Sequence, residues 1–517
     1  MHRLSAGLAA TILPAVLVLQ LGGQTVGDWR ICPEKVNIQV GDDRVLQLLD
    51  DSAQELHGAQ WSIDNSSLAE IREEDGRAVV HATAPGNLTV SALLHGQTRI
   101  LPIRIWPADE PLAPGITAWG THEIGRDAGD IPAVPTPDGP NLFMLEQTRA
   151  GETYLRGVRE DGIQVWAWLM PERTHDVQLV CGDWMGGALI SADRADSFTL
   201  YTVGADGRMR WRRKLAGVRK AHAYNLQHLV HVLRQSADGT VTKVTGIDEQ
   251  TGEEKFDLTI PASQEQFSNL ERDGKSFRCS ALSKTSAVPT VASRLFVNID
   301  GFAYVAFSEY EGTLASEGCK PGAPLEPRGV SLVHRERVTL WQIHPDGTYR
   351  PTVVDETQGS GSLSDPLNTV YPTGAIIPDG LGGVLLSIRR SHDLPAAGVH
   401  RPLEELVYRV KQDGRLVYRF QLPAYEGELK DEMVLGENDL GFATRGGSLI
   451  AFDSRMGKEA WRWTSPQTIE VLAALADGSC LVETSTAVVQ VANSTTAKVV
   501  FKGHAMIDWQ GHLYRKP

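Results

Sequence analysis

The chain has 517 residues, more than one hydrophobic core usually supports, so at least two domains or an array of repeats is expected. Its 64 acidic and 50 basic residues give a formal charge of −14, which argues against a nucleic-acid-binding surface. Glycine (50) and proline (27) are frequent between short alternating apolar runs, a pattern typical of all-β proteins.

The first residues have the pattern of an export signal. A short positive start, Met1–Arg3, precedes an apolar run from Leu8 to Leu21. We expect a signal peptide over residues 1–26, with an uncleaved anchor as the alternative. The expected location is therefore periplasmic, cell-surface or extracellular, and no later segment is apolar enough to span a membrane.

The cysteines predict one disulfide. None of the five forms a Cys-x-x-Cys pair, which argues against a zinc ribbon or a thioredoxin-like site. Exported proteins can hold disulfides. Cys279 and Cys319 are the best candidates because both lie in one irregular segment, but the sequence does not fix the connectivity, and one thiol must stay unpaired.

Residues 33–107 are predicted to form a separate β-sandwich. Six short runs of alternating apolar and polar residues are separated by turns rich in Gly, Asp and Asn. Strands this short, at this spacing, are typical of two packed sheets. The runs are Lys35–Val40, Arg44–Leu48, Gln60–Ile63, Ala78–Ala82, Asn87–Leu93 and Thr98–Ile105.

This unit resembles the bacterial Ig-like domains of group 2. The resemblance is carried by Val40-Gly41, by the run from Trp61 to Ile71, and by Gly86-Asn-Leu-Thr-Val-Ser-Ala92. It implies that Trp61 packs between the two sheets, and that the module acts as a spacer or in adhesion. Residues 108–114, rich in proline and acids, are predicted to be a linker.

From residue 115 one hairpin pattern recurs: a strand, an Asp-Gly or similar turn, and a strand that carries an aromatic residue. The turn glycines Gly162, Gly207 and Gly252 lie 45 residues apart, and Gly414 and Gly457 lie 43 apart. Such a period, with four strands per unit, predicts the blades of a β-propeller. The copies are Tyr154–Trp168, Thr199–Trp211, Val244–Phe256, Thr339–Tyr349, Glu405–Tyr418, Gly447–Trp463 and a degenerate Ala487–Val500.

The two ends of the repeat region are predicted to share one blade. Ala505–Tyr514 has the pattern of its inner half and Gly115–Ile124 that of its outer half. Joining them would close the ring and protect the sheet edges. The fold class is thus all-β, an Ig-like sandwich plus an eight-bladed propeller. Seven blades is the alternative, if Ile116–Ile124 adds only one strand to a neighbouring blade.

The hairpin, read as Ala-x-Asp-x-x-x-Gly-x-x-x-Trp, resembles the repeat of quinoprotein-like propellers, with Ala451–Trp461 as the best match. In that family, quinone-dependent dehydrogenases carry a vicinal disulfide and an acidic calcium site. The present chain has no adjacent cysteines, so no cofactor is predicted. The repeat aromatics are interpreted as packing between blades: Trp166, Trp211, Phe256, Tyr418 and Trp461.

No catalytic, cofactor or metal residue is assigned. His222, His228 and His231 are close in sequence, but on a strand His231 points away from the other two, which disfavours a metal site. Asp-Gly turns could hold calcium, although Asp suits such turns without a metal. Glu404 and Glu405 are expected on opposite faces of a strand, a poor arrangement for acid–base catalysis.

An insertion at about residues 264–337 breaks the period, and a second excursion covers 353–373. Both are expected to be irregular loops, and loops on a rigid ring often carry binding sites. A decoration without a ligand is an equally open interpretation.

The preferred hypothesis is an exported, non-catalytic binding or scaffold protein of the bacterial envelope, whose partner is a protein or a glycan. The alternative is a propeller enzyme, such as a lyase, hydrolase or quinone-dependent dehydrogenase, with its site at the central funnel. The sequence names neither the partner nor the oligomeric state.

Overall fold

A computed structural model describes residues 29–515 of the chain apart from a set of connecting segments. Every described element is a β-strand, and no helix in this part of the chain is long and apolar enough to cross a membrane. The predicted signal segment 1–26 and the linker 108–114 lie outside the described residues. The other undescribed segments are 27–28, 33–35, 51–54, 107, 115, 118–129, 133–138, 141, 148–151, 160–163, 173–175, 183–185, 225–228, 263, 274–275, 288, 292–294, 299–300, 316–323, 326–330, 363–366, 380, 395–398, 424–432, 437–438, 476–477, 508–512 and 516–517.

Two sheets in the N-terminal part share one hydrophobic core. One sheet has the order β1-β3-β7-β6 with β4 paired to β3, and the other has the order β2-β9-β8-β5. Leu46, Val80 and Val90 are fully buried between them, and Trp61 packs against this cluster. The strands are β1 Trp29–Cys32, β2 Val36–Gln39, β3 Asp43–Asp50, β4 Glu55–Leu56, β5 Gln60–Ile63, β6 Ala69–Glu74, β7 Arg77–Ala82, β8 Gly86–Leu94 and β9 Gln97–Trp106.

The N-terminal unit begins earlier than the predicted boundary at residue 33. Strand β1 pairs with β3, and Trp29 is fully buried in the shared core. The sequence did not reveal this strand because four residues directly after an apolar leader carry too little alternation to be recognised. The identification of the unit as Ig-like stays a prediction.

Three four-stranded antiparallel sheets follow, each a simple meander of consecutive strands. The strands are β10 Ile116–Thr117, β11 Asp130–Pro132, β12 Leu142–Gln147, β13 Thr153–Val158, β14 Gln164–Leu169, β15 Val177–Gly182, β16 Ala188–Asp193, β17 Ser197–Val203, β18 Met209–Ala216, β19 Val218–Tyr224, β20 Leu229–Gln235, β21 Thr242–Asp248 and β22 Glu254–Ile260. The sheets comprise β11–β14, β15–β18 and β19–β22.

The next sheet is larger, with eight strands in the order β28-β24-β23-β27-β29-β30 and with β25 and β26 paired to β27. Its strands are β23 Gln264–Asp273, β24 Ser276–Ala287, β25 Thr290–Val291, β26 Phe296–Val297, β27 Ala303–Ala315, β28 Pro324–Leu325, β29 Ser331–Ile343 and β30 Tyr349–Ser362. Residues 264–337 are thus mainly strands and not the irregular loop that was expected, whereas the interpretation of this region as an insertion into the repeat stays a prediction. The sequence of β23 and β24 has polar residues at successive positions, so the apolar alternation that marks a strand in sequence is missing.

Three more four-stranded meanders, β31–β34, β35–β38 and β39–β42, complete the series. The second predicted excursion, 353–373, falls mostly within strands β30 and β31 rather than in a loop. The remaining strands are β31 Leu367–Pro378, β32 Val384–Leu394, β33 Val399–Val410, β34 Leu416–Leu422, β35 Met433–Leu435, β36 Leu440–Arg445, β37 Ser448–Asp453, β38 Lys458–Thr464, β39 Glu470–Ala474, β40 Cys480–Glu483, β41 Ala487–Val491, β42 Ala497–Lys502, β43 Ala505–Ile507 and β44 Leu513–Arg515.

The sheets have the arrangement of a β-propeller. The inner strands β11, β15, β19, β26, β31, β35 and β39 contact one another in series. Hydrophobic clusters lie between successive sheets, as where Phe198 and Trp211 of one sheet pack against Val230 of the next. Four-stranded meanders with contacting inner strands are the blades of this architecture.

Strands from the two ends of the repeat region meet in one sheet. Ile116–Thr117 pairs in parallel with Leu513 and Tyr514, and β44 pairs antiparallel with β43. Of the predicted outer half, residues 118–124 lie outside the described residues. The number of blades stays a prediction.

The repeat aromatics pack against the turn glycines of the following sheet. A Cβ atom at Gly207, Gly252 or Gly457, all with positive φ, would lie within 3 Å of an aromatic side chain of the preceding sheet. Each ring belongs to the outer strand of its sheet. It occupies the space that a side chain at the turn glycine of the next sheet would need. The pairs are Trp166 on Gly207, Trp211 on Gly252, Phe256 on Gly347 and Tyr418 on Gly457.

Polar contacts strengthen three of these pairs. The indole of Trp166 donates to the backbone carbonyl of Ala205 at 2.7 Å, and the indole of Trp211 donates to the backbone carbonyl of Glu249 at 2.5 Å. The Tyr418 hydroxyl donates to the Ser454 carbonyl at 2.6 Å. Trp461 instead lies beside Phe442, with ring centroids 5.8 Å apart, in the cluster between the β35–β38 and β39–β42 sheets.

We expect Gly457→Ala to destabilise the protein more than Gly503→Ala. Both glycines have positive φ, so each substitution costs about 1 kcal/mol of backbone strain. A Cβ at residue 457 would lie 2.5 Å from the Tyr418 ring, whereas nothing lies within 4 Å at residue 503. Overpacking adds about 1 kcal/mol or more at residue 457 alone. Urea unfolding of both variants measures the difference, and equal losses would contradict the aromatic–glycine packing.

The N-terminal unit contacts the propeller through a buried arginine. Arg30 is 3% exposed, and its guanidinium donates to Gln412 Oε1 at 2.7 Å. Gly382 makes room for it, because a Cβ there would lie 1.5 Å from Arg30 Cζ. Leu49 packs against Leu381 beside this contact. The two units are thus joined by side-chain packing as well as by the chain.

Candidate binding site

Three strands of the eight-stranded sheet are about twice as long as ordinary blade strands. β27, β29 and β30 have 13, 13 and 14 residues, whereas β16 has 6. Residues 303–308 of β27 belong to the blade core with Val338, and residues 309–315 continue beyond it together with 331–337 and 356–362. We call these extensions, with β23, β24 and β28, the raised sheet.

The strand register sorts the side chains of the raised sheet into two faces. Glu311, Arg335 and Gln358 stand opposite one another across the three strands, and so do Thr313, Val333 and Ser360. Because alternate residues point to opposite faces, both rows lie on the same face. The row between them, Gly312, His334 and Gly359, points to the other face. These nine residues line a groove of about 480 Å³.

Charged residues on the same face as Val333 are held in cross-strand ion pairs. Arg335 Nη2 lies 2.6 Å from Glu356 Oε2, and Arg337 pairs with Glu309. Arg335 is nearly half exposed, so its hydrogen-bonding capacity is only partly used by Glu356. Such pairs stabilise an exposed sheet weakly but fix the position of the guanidinium.

An exposed valine lies at the centre of the groove. Val333 is 56% exposed between the polar side chains of Thr313 and Ser360. An apolar centre with hydroxyl, amide and guanidinium groups around it can bind a ligand that is partly apolar and partly hydrogen-bonding. The arrangement is suited to recognition.

Two glycines leave space for the rings of His334 and Tyr310 on the face opposite Val333. A Cβ at Gly359 would lie 2.9 Å from His334 Cε1, and one at Gly312 would lie 2.3 Å from the Tyr310 hydroxyl. His334 is only 3% exposed. Burial also raises the pKa of Tyr310, with the charge of Glu336 adding to the effect. The floor of the groove is therefore backbone and small side chains, which a ligand can approach closely.

The raised sheet ends at a strand edge. β30 is the last strand of its sheet in the described part of the chain, so one side of its backbone is not paired with another strand there. The sequence at this edge is Gly359-Ser-Gly-Ser362. Small residues at an open edge allow another backbone to approach.

The residues predicted from the sequence lie elsewhere. Cys279 is in β24 without a described side chain, and Cys319 lies outside the described residues, so the disulfide stays a prediction. Cys480 is a buried free thiol, and burial raises its pKa. His228 lies outside the described residues. His231 is fully buried against Phe256, with ring centroids 5.7 Å apart.

The carboxylates of the turn aspartates accept hydrogen bonds from backbone amides of the same turn. Asp248 Oδ1 accepts the amides of Gln250 and Thr251 at 3.0 and 2.9 Å, and Asp453 Oδ1 accepts those of Arg455 and Met456, both at 2.8 Å. Among the described residues, no group of three or more metal-ligating side chains lies together.

Glu404 and Glu405 do face opposite sides of their strand. Glu404 lies 3.9 Å from Arg390, whereas Glu405 binds Arg389 and Arg445. Arg390 in turn binds Asp355 in a bidentate pair at 2.5 and 2.9 Å. These carboxylates are structural partners of arginines.

Sequence comparison and fold comparison give different results. No protein-family model and no curated protein matches the chain. Solved propeller structures overlap with it only loosely: a europium-containing methanol dehydrogenase (10% identity, 72% of this chain and 79% of that one, TM-score 0.36) and a gluconolactonase from Xanthomonas campestris (12%, 70% and 96%, 0.29). An apocarotenoid oxygenase from Synechocystis overlaps similarly (10%, 83% and 86%, 0.28). The chain's own strand order, and not these overlaps, carries the propeller assignment.

Proposed function

We propose that the chain is an exported, non-catalytic binding protein of the bacterial envelope. In this proposal an Ig-like module precedes an eight-bladed propeller of the quinoprotein-like type. The raised sheet is the binding surface, and its partner is an extended segment of another polypeptide.

The observation that carries the proposal is the groove beside an open strand edge. An extended peptide can add to the edge of β30 through backbone hydrogen bonds, because Gly359 and Gly361 present no bulky side chain. Val333 then contacts an apolar side chain, and Arg335 and Gln358 contact polar groups of the peptide. Backbone pairing supplies affinity in this mode, and alternate side chains supply specificity.

Val333→Arg is expected to weaken peptide binding at least tenfold. The purified chain is first used to select binders from a random linear peptide library, and the affinities of the selected peptides are then measured by calorimetry. Val333 is 56% exposed, so the substitution leaves the core intact.

Val499→Arg is the matched control, since Val499 is 55% exposed on β42, away from the raised sheet. It should bind the peptides like the unmodified chain. Equal losses in both variants, or no enrichment of any peptide, would contradict the proposal. Cleavage or chemical conversion of the bound peptides would favour the enzyme alternative.

A further inference from the structure

The open edge of β30 is not equally accessible along its length. Pro351 lies in the part of the strand that belongs to the blade, and a proline has no amide hydrogen to offer to another strand. Glu356 has an amide, but this amide donates to the carboxylate of Asp355 at 2.9 Å. Asp355 is itself fixed by two hydrogen bonds from Arg390. Both positions are therefore closed to a partner strand.

The accessible part of the edge covers the last residues of β30. Backbone groups in an antiparallel strand point alternately toward the paired strand and away from it. The amide of Glu356 points away from β29, since it donates to Asp355 and not across the pair. Gln358, Ser360 and Ser362 follow at intervals of two, so their backbone groups point outward as well. No strand in the described part of the chain pairs with β30 on this side, so a partner strand can pair with residues 358–362.

The register fixes where the side chains of such a partner lie. Residues that stand directly opposite each other on two strands place their side chains on the same face. Gln358 and Ser360 have theirs on the face of Val333, so the partner residues opposite them face the groove. The backbone opposite Ser360 lies two strand spacings from β29, about 10 Å, with only a small hydroxymethyl group between. A large apolar side chain, such as that of leucine or phenylalanine, spans this distance to Val333.

Negative charge is in excess on this face of the raised sheet. The raised parts of β27, β29 and β30 place three carboxylates and two guanidiniums here: Glu309, Glu311, Glu356, Arg335 and Arg337. Arg337 pairs with Glu309, and Arg335 lies 2.6 Å from Glu356. Glu311 is exposed, and no basic side chain of the described residues lies within ion-pair distance of it. The face therefore favours a partner that brings a positive charge.

We propose that the raised sheet selects extended segments that carry a large apolar residue and, two positions away, a lysine or arginine. This inference rests on the proposed peptide-binding function and adds the chemistry of the partner. The apolar side chain lies over Ser360 against Val333. The basic side chain stands opposite Gln358 and reaches the carboxylate of Glu356, its diagonal neighbour on β30.

A bound cation balances the charges around Arg335. This guanidinium lies 2.6 Å from Glu356 and belongs to the residue directly across the strands from Glu311. Glu356 and, more weakly, Glu311 raise the pKa of Arg335, so both carboxylates act on the same cation. A lysine or arginine of the partner supplies the second positive charge that the two carboxylates lack. An acidic segment would instead be repelled.

The sequences of the peptides selected from the random linear library test this selectivity. Peptides with a large apolar residue two positions from a lysine or arginine should be enriched about tenfold over the input library, the gain that one apolar contact and one ion pair together supply. Enrichment of peptides without this spacing, together with weaker binding by Val333→Arg, would leave peptide binding in place and overturn the selectivity alone. No enrichment of any peptide would overturn both.

N-methylation of a selected peptide tests the edge pairing. Methylation of an amide that pairs with β30 should lower the affinity about tenfold, because the hydrogen bond is lost and the methyl group enters the strand interface. Methylation of the intervening amides, which point to solvent, should change the affinity little. A profile without this alternation would show that the peptide does not bind as an added strand.

Glu356→Gln tests the basic position. It should weaken the binding of a selected lysine-containing peptide about fivefold, and it should have little effect once that lysine is replaced by glutamine. Glu459→Gln is the matched control, because Glu459 is 37% exposed on β38 and lies 2.6 Å from Arg462, much as Glu356 is 33% exposed beside Arg335. The control should bind unchanged. Equal effects of the two variants, or an effect of Glu356→Gln that does not depend on the peptide lysine, would overturn the contact.

Discussion

Glu405→Leu is expected to lower the free energy of unfolding by about 3–5 kcal/mol. The carboxylate is completely buried on β33 and binds two arginines, Arg389 on β32 and Arg445 on the neighbouring sheet. Both guanidiniums are themselves largely buried, with side chains 12% and 5% exposed. Removing the shared acid leaves two positive charges together in a region of low dielectric, and the penalty comes from their desolvation and repulsion.

The adjacent residue provides the control for this prediction. Glu404 lies on the opposite face of the same strand, is 35% exposed, and is 3.9 Å from Arg390. An exposed pair of this kind contributes less than about 1 kcal/mol, so Glu404→Leu should unfold at nearly the same urea concentration as the unmodified chain. If both leucine variants lost similar stability, the buried triad would not be the cause.

The second large effect is a loss of stability in acid that depends on His231. The imidazole is fully buried on β20, and neither ring nitrogen has a hydrogen-bond partner among the described residues. Burial lowers the pKa of His231 from 6.5 to about 4. Between these values the unfolded chain binds a proton that the folded chain does not. The free energy of unfolding is therefore highest, as far as His231 is concerned, above pH 6.5. It falls by about 3 kcal/mol in total as the pH falls from 6.5 toward 4.

His231→Leu should remove this dependence. At pH 7 the variant and the unmodified chain are expected to have similar unfolding free energies. At pH 4.5 the variant should be the more stable by about 2.5 kcal/mol, because leucine has no proton to bind. Urea unfolding at both pH values measures how the stability difference between the two proteins changes with pH. Parallel pH profiles would show that another group causes the loss of stability in acid.

The propeller arrangement could be predicted because its signal is repeated. The turn glycines at 207, 252 and 457 have a physical cause for their spacing, since each accommodates an aromatic side chain from the preceding sheet. A feature imposed on every blade leaves a period in the sequence. Four of the five predicted aromatic residues, Trp166, Trp211, Phe256 and Tyr418, lie against such a glycine.

The candidate site had no such signal. The raised sheet has polar residues on both faces and is supported by ion pairs such as Arg335–Glu356, which have no period that distinguishes a strand from a loop. Arg30 was missed for another reason: its pocket is built by residues about 350 or more positions away in the chain.

The pairing of β10 with β44 can form only late in the synthesis of the chain. Thr117 and Tyr514 are neighbours in space but are made about 400 residues apart, so the first of these strands waits for nearly the whole chain to emerge. Until the C-terminal residues arrive, the earlier blades expose an unpaired edge to other chains. Chaperones that protect exposed strand edges would therefore matter most for nascent chains that lack only their last residues.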